Sequence, residues 1–543
     1  MFLKINKKLL LTIAVLIGLG FRIIAIDSNP LGVHADEADS GYNAYSILKT
    51  GKDIYGNFLP LQITGFAQNY RTPISTYLTV PFVAILDLNT FSIRLPAVLI
   101  GAAVIFLVYL LGKKLFDSEK IGIISAFIIA FNPWAIHISR PYADHILAIF
   151  FVLLGLIFIF KKKGEKTSFF LGGVFLGLSL FSYHAPKIFL PLFLPFVIWY
   201  LFPKPFKNKT NILFLIVGFG IFFIFSIYLS LFRMGAQELN TVSILNDTNA
   251  AKLVNKERTV TTAPLSVSSL FHNKPLYFAK RIGRNYFQSL SINHLFLDGD
   301  GNLTAWIQDK GLFYLVELPF LFIGFYFIFR KNRRLGVLLL AWTLISSVPG
   351  AITNNFMYTY RNIYLLPVLV FIISYGLYYS YASLKRKSVK MLLVFLIFLF
   401  YLYGISSFIV RYYFDYPQYS YTWWAGGQKD ALLYAKEREN EAERVFVNGG
   451  LDWPLLYAFY NKVDPGILQK ELVKIKQDSS KNIMFNKYEF GNIKIDKDDN
   501  PKDFFEKGTM FIGSHSDFEY TEADYRILSK DDWGTLYRIY IIK

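Results

Sequence analysis

Residues 33–61 read VHADEADSGYNAYSILKTGKDIYGNFLPL. They directly follow the apolar run Leu9 to Ile26 and place His34, Asp36, Glu37 and Asp39 within six positions. Ionisable side chains are costly beside lipid and are retained there for a purpose. The stretch therefore marks a reaction centre at a membrane face, and the rest of the chain is read around it.

The chain has 543 residues, of which 54% are hydrophobic and 18% aromatic, with a mean hydropathy of +0.36. Soluble domains hold about 45–50% apolar residues. The surplus lies in long runs of Leu, Ile, Phe and Val separated by short basic clusters, the pattern of an integral membrane protein of many helices. The net charge of +18 comes largely from those clusters. They obey the positive-inside rule and suit an anionic lipid surface. No basic stripe with interleaved aromatics lies outside the apolar region, so nucleic acid is not an expected partner. With no cysteine, disulfides, thiol catalysis and cysteine-based metal sites are excluded.

Lys4, Lys7 and Lys8 put the N-terminus in the cytoplasm, and Leu9 to Ile26 is a retained first span rather than a cleaved signal. Residues 27–90 then form an outer loop. Within it Asp36 is expected to cap an amphipathic helix on the membrane surface, with Ala38, Tyr42, Tyr45 and Leu48 on one face and Gly51 as its stop. Arg71 to Leu86 is too short and too proline-punctuated to count as a span. Ten further apolar runs follow: 95–111, 121–134, 146–160, 169–181, 188–201, 212–232, 311–329, 335–348, 363–381 and 391–410. About eleven spans place every strongly basic loop on one side. Counting Arg71 to Leu86 would invert the later loops. Residues 233–310 form a second outer loop with short helices and the acidic turn LDGDGN. From about Tyr416 the composition changes to charged helical stretches and β-like runs: VFVN from Val445, TMFIGS from Thr509 and TLYRIYIIK at the end. The expected organisation is a transmembrane domain over 1–415 and a small extracytoplasmic α/β domain over 416–543.

Outer loops supply the candidate groups: Asp36 and Glu37; Arg140 and Asp144; His184 and Lys187; Asp298 and Asp300; and Arg361. Carboxylates and cations gathered at a membrane edge suit transfer chemistry on a lipid phosphate. Arg and Lys hold the phosphate. A carboxylate takes the proton of an incoming hydroxyl, which attacks the carbon bonded to that phosphate. Structural roles compete at each position. Asp36 and Glu37 suit a helix start. Arg140 could snorkel to headgroups. Asp144 could cap the next span, His184 and Lys187 could anchor at the interface, and Arg361 could set topology. The two acids of LDGDGN suit a turn.

The acidic pair after the first span resembles that of the GT-C superfamily of glycosyltransferases, multispan enzymes that use polyprenyl-phosphate-linked sugars. The closest likeness is to the branch of protein O-mannosyltransferases and lipid A aminoarabinose transferases. WAIHISRPYADH is similar to that branch's Ser-Arg loop, RLPAVLIGAAVIFLVYLLGKKLF and GLFYLVELPFLFIGF to two of its spans, and YRNIYLLP to its late Arg loop. The likeness covers roughly Phe2 to Tyr381. It implies an α-helical polytopic fold with outer juxtamembrane helices and inversion at the sugar carbon. By the same resemblance Asp36 is the catalytic base, with Glu37 beside it, and Arg361 binds the lipid phosphate. The resemblance also implies phosphate or sugar binding by Arg140 and Lys187, and Asp144 and His184 of the same outer loops are further candidate substrate-binding residues. Some branches of the superfamily use a divalent metal, and no metal ligands are assigned here. The C-terminal domain does not resemble the β-trefoil of the eukaryotic mannosyltransferases, so the acceptor is left as protein, lipid or glycan.

The expected function is transfer of a sugar from a polyprenyl-phosphate donor at the outer face of a prokaryotic cytoplasmic membrane. Two alternatives are a flippase of lipid-linked sugars and a non-catalytic assembly protein acting through its C-terminal domain. A flippase would need ionisable groups deep within its spans, whereas here they cluster in loops.

Overall fold

The computed structural model describes residues 6–67, 70–161, 165–203, 208–232, 243–354, 358–450, 452–477, 487–497, 506–514, 523–531 and 534–542. Lys162, Lys163, Lys204 and Lys207 of the basic loops, and residues 233–242 of the second outer loop, lie outside them.

The helices are, in chain order, α1 (Lys7–Ile23), α2 (Ala35–Thr50), α3 (Pro73–Leu86), α4 (Thr90–Phe116), α5 (Glu119–Phe131), α6 (Pro133–Ile138), α7 (Asp144–Ile159), α8 (Lys166–Ser179), α9 (Pro186–Leu201), α10 (Lys209–Phe232), α11 (Ala250–Val260), α12 (Leu265–Phe271), α13 (Lys274–Ser289), α14 (Leu318–Lys331), α15 (Arg333–Ser346), α16 (Leu365–Ser383), α17 (Lys387–Val410), α18 (Gly426–Glu437), α19 (Trp453–Tyr460) and α20 (Pro465–Gln477). Every apolar run expected to span contains a helix, though the run 311–329 becomes α-helical only from Leu318. Five stretches of described helix are long and apolar enough to cross a membrane by length and composition: Thr90–Phe116, Lys209–Leu231, Arg333–Ala351, Leu365–Ser383 and Lys387–Tyr419, the third and fifth including the short helical segments that follow α15 and α17. Others are shorter, such as the 16-residue α7 and α9. At 1.5 Å per residue they fall below the ~30 Å hydrocarbon thickness.

The chain divides into two compact units. One comprises Met1–Arg22, Leu99–Ser139 and Asp144–Phe408; the other comprises Ile23–Val98, Arg140–Ala143 and Ile409–Lys543. In the first, helices approach closely where glycine faces backbone. A Cβ on Gly324 would collide with the Ile372 carbonyl oxygen, and one on Gly376 with that of Phe320. This contact joins α14 to α16. Small residues serve the same end in membrane bundles generally, where hydrophobicity alone does not hold helices together.

The second unit is built on a mixed sheet. Its strands are β3 (Arg444–Asn448), β4 (Tyr488–Phe490), β5 (Ile493–Asp496), β6 (Thr509–Ser514), β7 (Tyr525–Leu528) and β8 (Thr535–Ile542), after the short hairpin of β1 (Ile63–Thr64) and β2 (Tyr70–Arg71). Their order is β4-β5-β3-β6-β8-β7. β3 runs parallel to β5 and β6, and the other pairs are antiparallel. One core joins Val445, Val447, Met510 and Ile512 of the sheet to Leu456 and Phe459 of α19 and to Val33, Ala38 and Tyr42. The unit that contains the C-terminal sheet thus also contains most of the loop 27–90.

Helix α2 departs from expectation. Its stop at Gly51 stands, with φ at +69° and the amide donating to the Ile47 carbonyl. It is not a surface helix, however. Every residue from Glu37 to Ile47 is buried, because α3, α19 and α20 pack around it. The Tyr42 hydroxyl donates to the Val463 carbonyl at 2.8 Å, and Gln469 donates to Ser46, Thr50 and the Asp53 carbonyl. Small and polar residues on its second face (Ser40, Asn43, Ser46) allow that enclosure, which the pattern of larger apolar residues alone does not reveal.

Candidate active site

The start of α2 is over-determined. His34, rather than Asp36, is its cap. The His34 Nδ1 accepts from the Asp36 amide at 3.2 Å, and Glu37 accepts from the His34 amide at 3.1 Å, a reciprocal capping box. Asp36 lies in the first turn, where the helix dipole favours a carboxylate.

Two arginines divide the three carboxylates. Arg94 meets Glu37 in a bidentate pair at 2.9 Å for both bonds, and both side chains are fully enclosed. Its other N–H groups donate to the carbonyls of Ile26, Pro30 and Gly32. Arg71 lies between the other two acids, donating to Asp36 at 2.5 Å and to Asp39 at 2.7 Å. Burial works against the Arg71 charge, but the attraction of Asp36 and Asp39 outweighs it and holds the guanidinium well above its ordinary pKa. Asp39 is enclosed and also accepts from the Phe66 amide and from Asn43. Asp36 differs from both neighbours: its side chain is 34% exposed, against 1% for Asp39 and 0% for Glu37.

Asp452, just ahead of α19, faces His34, Asp36 and Arg71, and burial pushes its carboxyl up. The Trp424 ring stands edge-on to His34, centroids 6.0 Å apart. Arg140 is fully buried in the same unit. Its guanidinium donates to the carbonyls of Ile24, Ala25 and Asn29 and lies over the rings of Tyr412 and Tyr413. It therefore fixes the chain leading into α2.

The remaining candidates belong to the first unit, where three loops meet. His145 stacks on Tyr360 with centroids 4.1 Å apart and packs on Tyr183 at 4.3 Å. Arg361 donates to the Tyr183 hydroxyl and faces Asp300. The loops that carry Asp144, His184 and Arg361 are thereby held together through their immediate neighbours. Asp144 is buried in the first turn of α7, whereas His184 and Lys187 are half-buried. Asp300 accepts from the amide and hydroxyl of Thr359, at 3.0 and 3.1 Å, and so anchors the turn ending in Arg361. Burial pushes the Asp300 carboxyl up and holds the neighbouring His294 below its ordinary value. Asp298 instead accepts from Asn293 within its own turn.

Among the described residues no group of three or more His, Asp or Glu is arranged to hold a metal ion. The donor set does not fit one: Asp36 and Asp39 are joined by Arg71, and Glu37 by Arg94. Sequence reading overlooked Arg71, Arg94 and Asp452. Each is a lone charge in an otherwise unexceptional stretch, and only distant pairing makes it part of the site.

Residues 70–230 match the family model of dolichyl-phosphate-mannose-protein mannosyltransferases. At the level of whole sequence, no curated protein matches the chain. In structure it is similar to ArnT from Cupriavidus metallidurans bound to undecaprenyl phosphate, with a TM-score of 0.55 and 12% identity over 97% of each chain. It is also similar to the archaeal oligosaccharyltransferase AglB from Archaeoglobus fulgidus in complex with an inhibitory peptide and a dolichol-phosphate. There the TM-score is 0.50 and the identity 16%, over 84% of this chain and 64% of that one. The chain has the helical polytopic fold of these proteins, with a small C-terminal sheet.

Proposed function

We propose that this chain, a glycosyltransferase of the GT-C type related to the protein O-mannosyltransferase and ArnT branch, moves a sugar from a polyprenyl-phosphate donor to a hydroxyl, amine or phosphate of an acceptor. Transfer takes place at the outer face of the cytoplasmic membrane and inverts the sugar carbon. The family match and the likeness to lipid-phosphate-bound ArnT support the donor class.

One observation carries the assignment of the base. Of three carboxylates within four residues, Asp36 alone keeps a side chain open to an acceptor, while Glu37 and Asp39 are enclosed by arginine. In this reading Asp36 takes the acceptor proton as the new glycosidic bond forms. Arg71 and the dipole of α2 place positive charge beside the Asp36 carboxylate. Glu37 and Arg94 are positioning residues that fix the helix start. Arg361 holds the donor phosphate, and its charge stabilises the lipid phosphate as it leaves. His184 and Lys187 line the sugar or phosphate, Asp144 supports the loop before α7, and Arg140 fixes the chain leading into α2. No step is routed through a metal.

The test is Asp36→Asn in the purified full chain, with polyprenyl-phosphate sugar as donor. Loss of a general base costs about 10²–10⁴-fold in rate, so transfer should fall by at least 10²-fold while lipid binding and melting temperature hold. Transfer at the parental rate would overturn the assignment.

A further inference from the structure

Helices α11 and α13, in the first unit, flank a cavity of about 950 Å³ whose lining includes none of the residues given a role in the proposed reaction. Four cations line it: Lys256, Lys280, Arg281 and Arg284. Its two carboxylates are already engaged. Asp247 is paired with Arg281 and accepts from Tyr277, and Glu257 is paired with His272 at 2.9 Å. Lys256, Lys280 and Arg284 have no carboxylate partner among the described residues, and all three are exposed. The cavity therefore carries surplus positive charge.

Its rim is apolar. Leu253 and Phe271 line it and are themselves exposed. The exposed surface continues over Leu270 and Leu265 of α12 and Phe287 of α13. Exposed apolar residues beside unpaired cations are the mark of a surface that meets both lipid chains and anionic headgroups. Arg281 and Arg284 also act on the Tyr358 hydroxyl, together with Arg361, so the cationic wall extends to the turn that ends in Arg361.

We infer that this cavity binds the anionic headgroup of an amphiphile, a phosphate-bearing lipid whose chain leaves across Leu253 and Phe271. Lys256, Lys280 and Arg284 hold the phosphate oxygens. The site needs only that the chain be embedded in lipid, and it stands independently of the role given to Asp36. The same chemistry has two sources, a bilayer glycerophospholipid or the polyprenyl phosphate carrier.

The experiment measures lipid binding to the full chain in nonionic detergent by native mass spectrometry. The probes are phosphatidylglycerol, undecaprenyl phosphate and, as zwitterionic control, phosphatidylcholine. The variant is Lys256→Ala/Lys280→Ala/Arg284→Ala, whose three side chains are exposed. Exposed ion pairs are individually weak, so three together should change affinity by about tenfold. A tenfold loss for phosphatidylglycerol, with phosphatidylcholine unchanged, assigns a bilayer lipid. A loss confined to undecaprenyl phosphate assigns the carrier. Parental binding of both anionic lipids overturns the inference. If the triple variant does not fold, Lys280→Ala should lower binding about threefold and Lys280→Arg restore it; no change in Lys280→Ala overturns the site equally. Because binding rather than transfer is read, failure here is distinct from failure of the Asp36 assignment.

Discussion

Glu37 and Asp36 are adjacent in the chain, and what separates them is solvent. The Glu37 carboxylate is enclosed with Arg94, so its charge is stable only while the partner is present. Removing one member of a buried pair leaves the other uncompensated and costs about 3–5 kcal/mol, whereas replacing both with apolar residues costs much less. Glu37→Gln should therefore lower stability by roughly that amount, and Glu37→Leu/Arg94→Leu should recover part of it. Thermal unfolding of the purified variants checks the order. A Glu37→Gln variant as stable as the parent would mean that Arg94 is held by its backbone carbonyls alone. Sequence alone placed both acids at a helix start. It offered no means of ranking them, since the ranking comes from arginines 35 and 57 positions away.

At the scale of elements, glycine separates packed helices from lipid-facing ones. Gly376 of α16 faces the backbone of α14, whereas Gly220 of α10 has nothing within 4 Å of a Cβ. Adding a methyl at Gly376 forces the helices apart, and overpacking of this kind costs about 1–3 kcal/mol. At Gly220 the same methyl meets no atom of the chain and improves helix propensity. Gly376→Ala should thus lower the melting temperature and Gly220→Ala should not. Equal effects would show that α14 and α16 tolerate a wider separation. Helix positions were legible in the runs of Leu, Ile and Phe. Which of their faces meet was not, because hydropathy is nearly uniform around such helices.

For the molecule as a whole, the C-terminal segment is the telling case. Strands at 445–448, 509–514 and from 535 were expected from composition, and they appear in β3, β6 and β8. β4 and β5 were not anticipated; they are short. From sequence, residues after Tyr416 read as a separate small α/β domain. In the structure α19 and α20 cover α2, and the sheet shares its core. Deleting residues 417–543 should therefore expose α2, abolish transfer and make the loop 27–90 sensitive to protease. Limited proteolysis together with a transfer assay tests this. A truncated chain that resists protease and transfers sugar at the parental rate would show that α2 is held without those helices.

Taken by itself, the sequence determined that this is a helical membrane protein, where its helices lie, and that ionisable residues gather after the first of them. Hydropathy and helix stops act over a few residues, so they are written locally. Tertiary structure alone decided which carboxylate stays open, which arginines neutralise the others, and that α2 is buried rather than laid on a surface. Those outcomes depend on charge pairing and packing between distant segments, and local composition carries no record of which segments will meet.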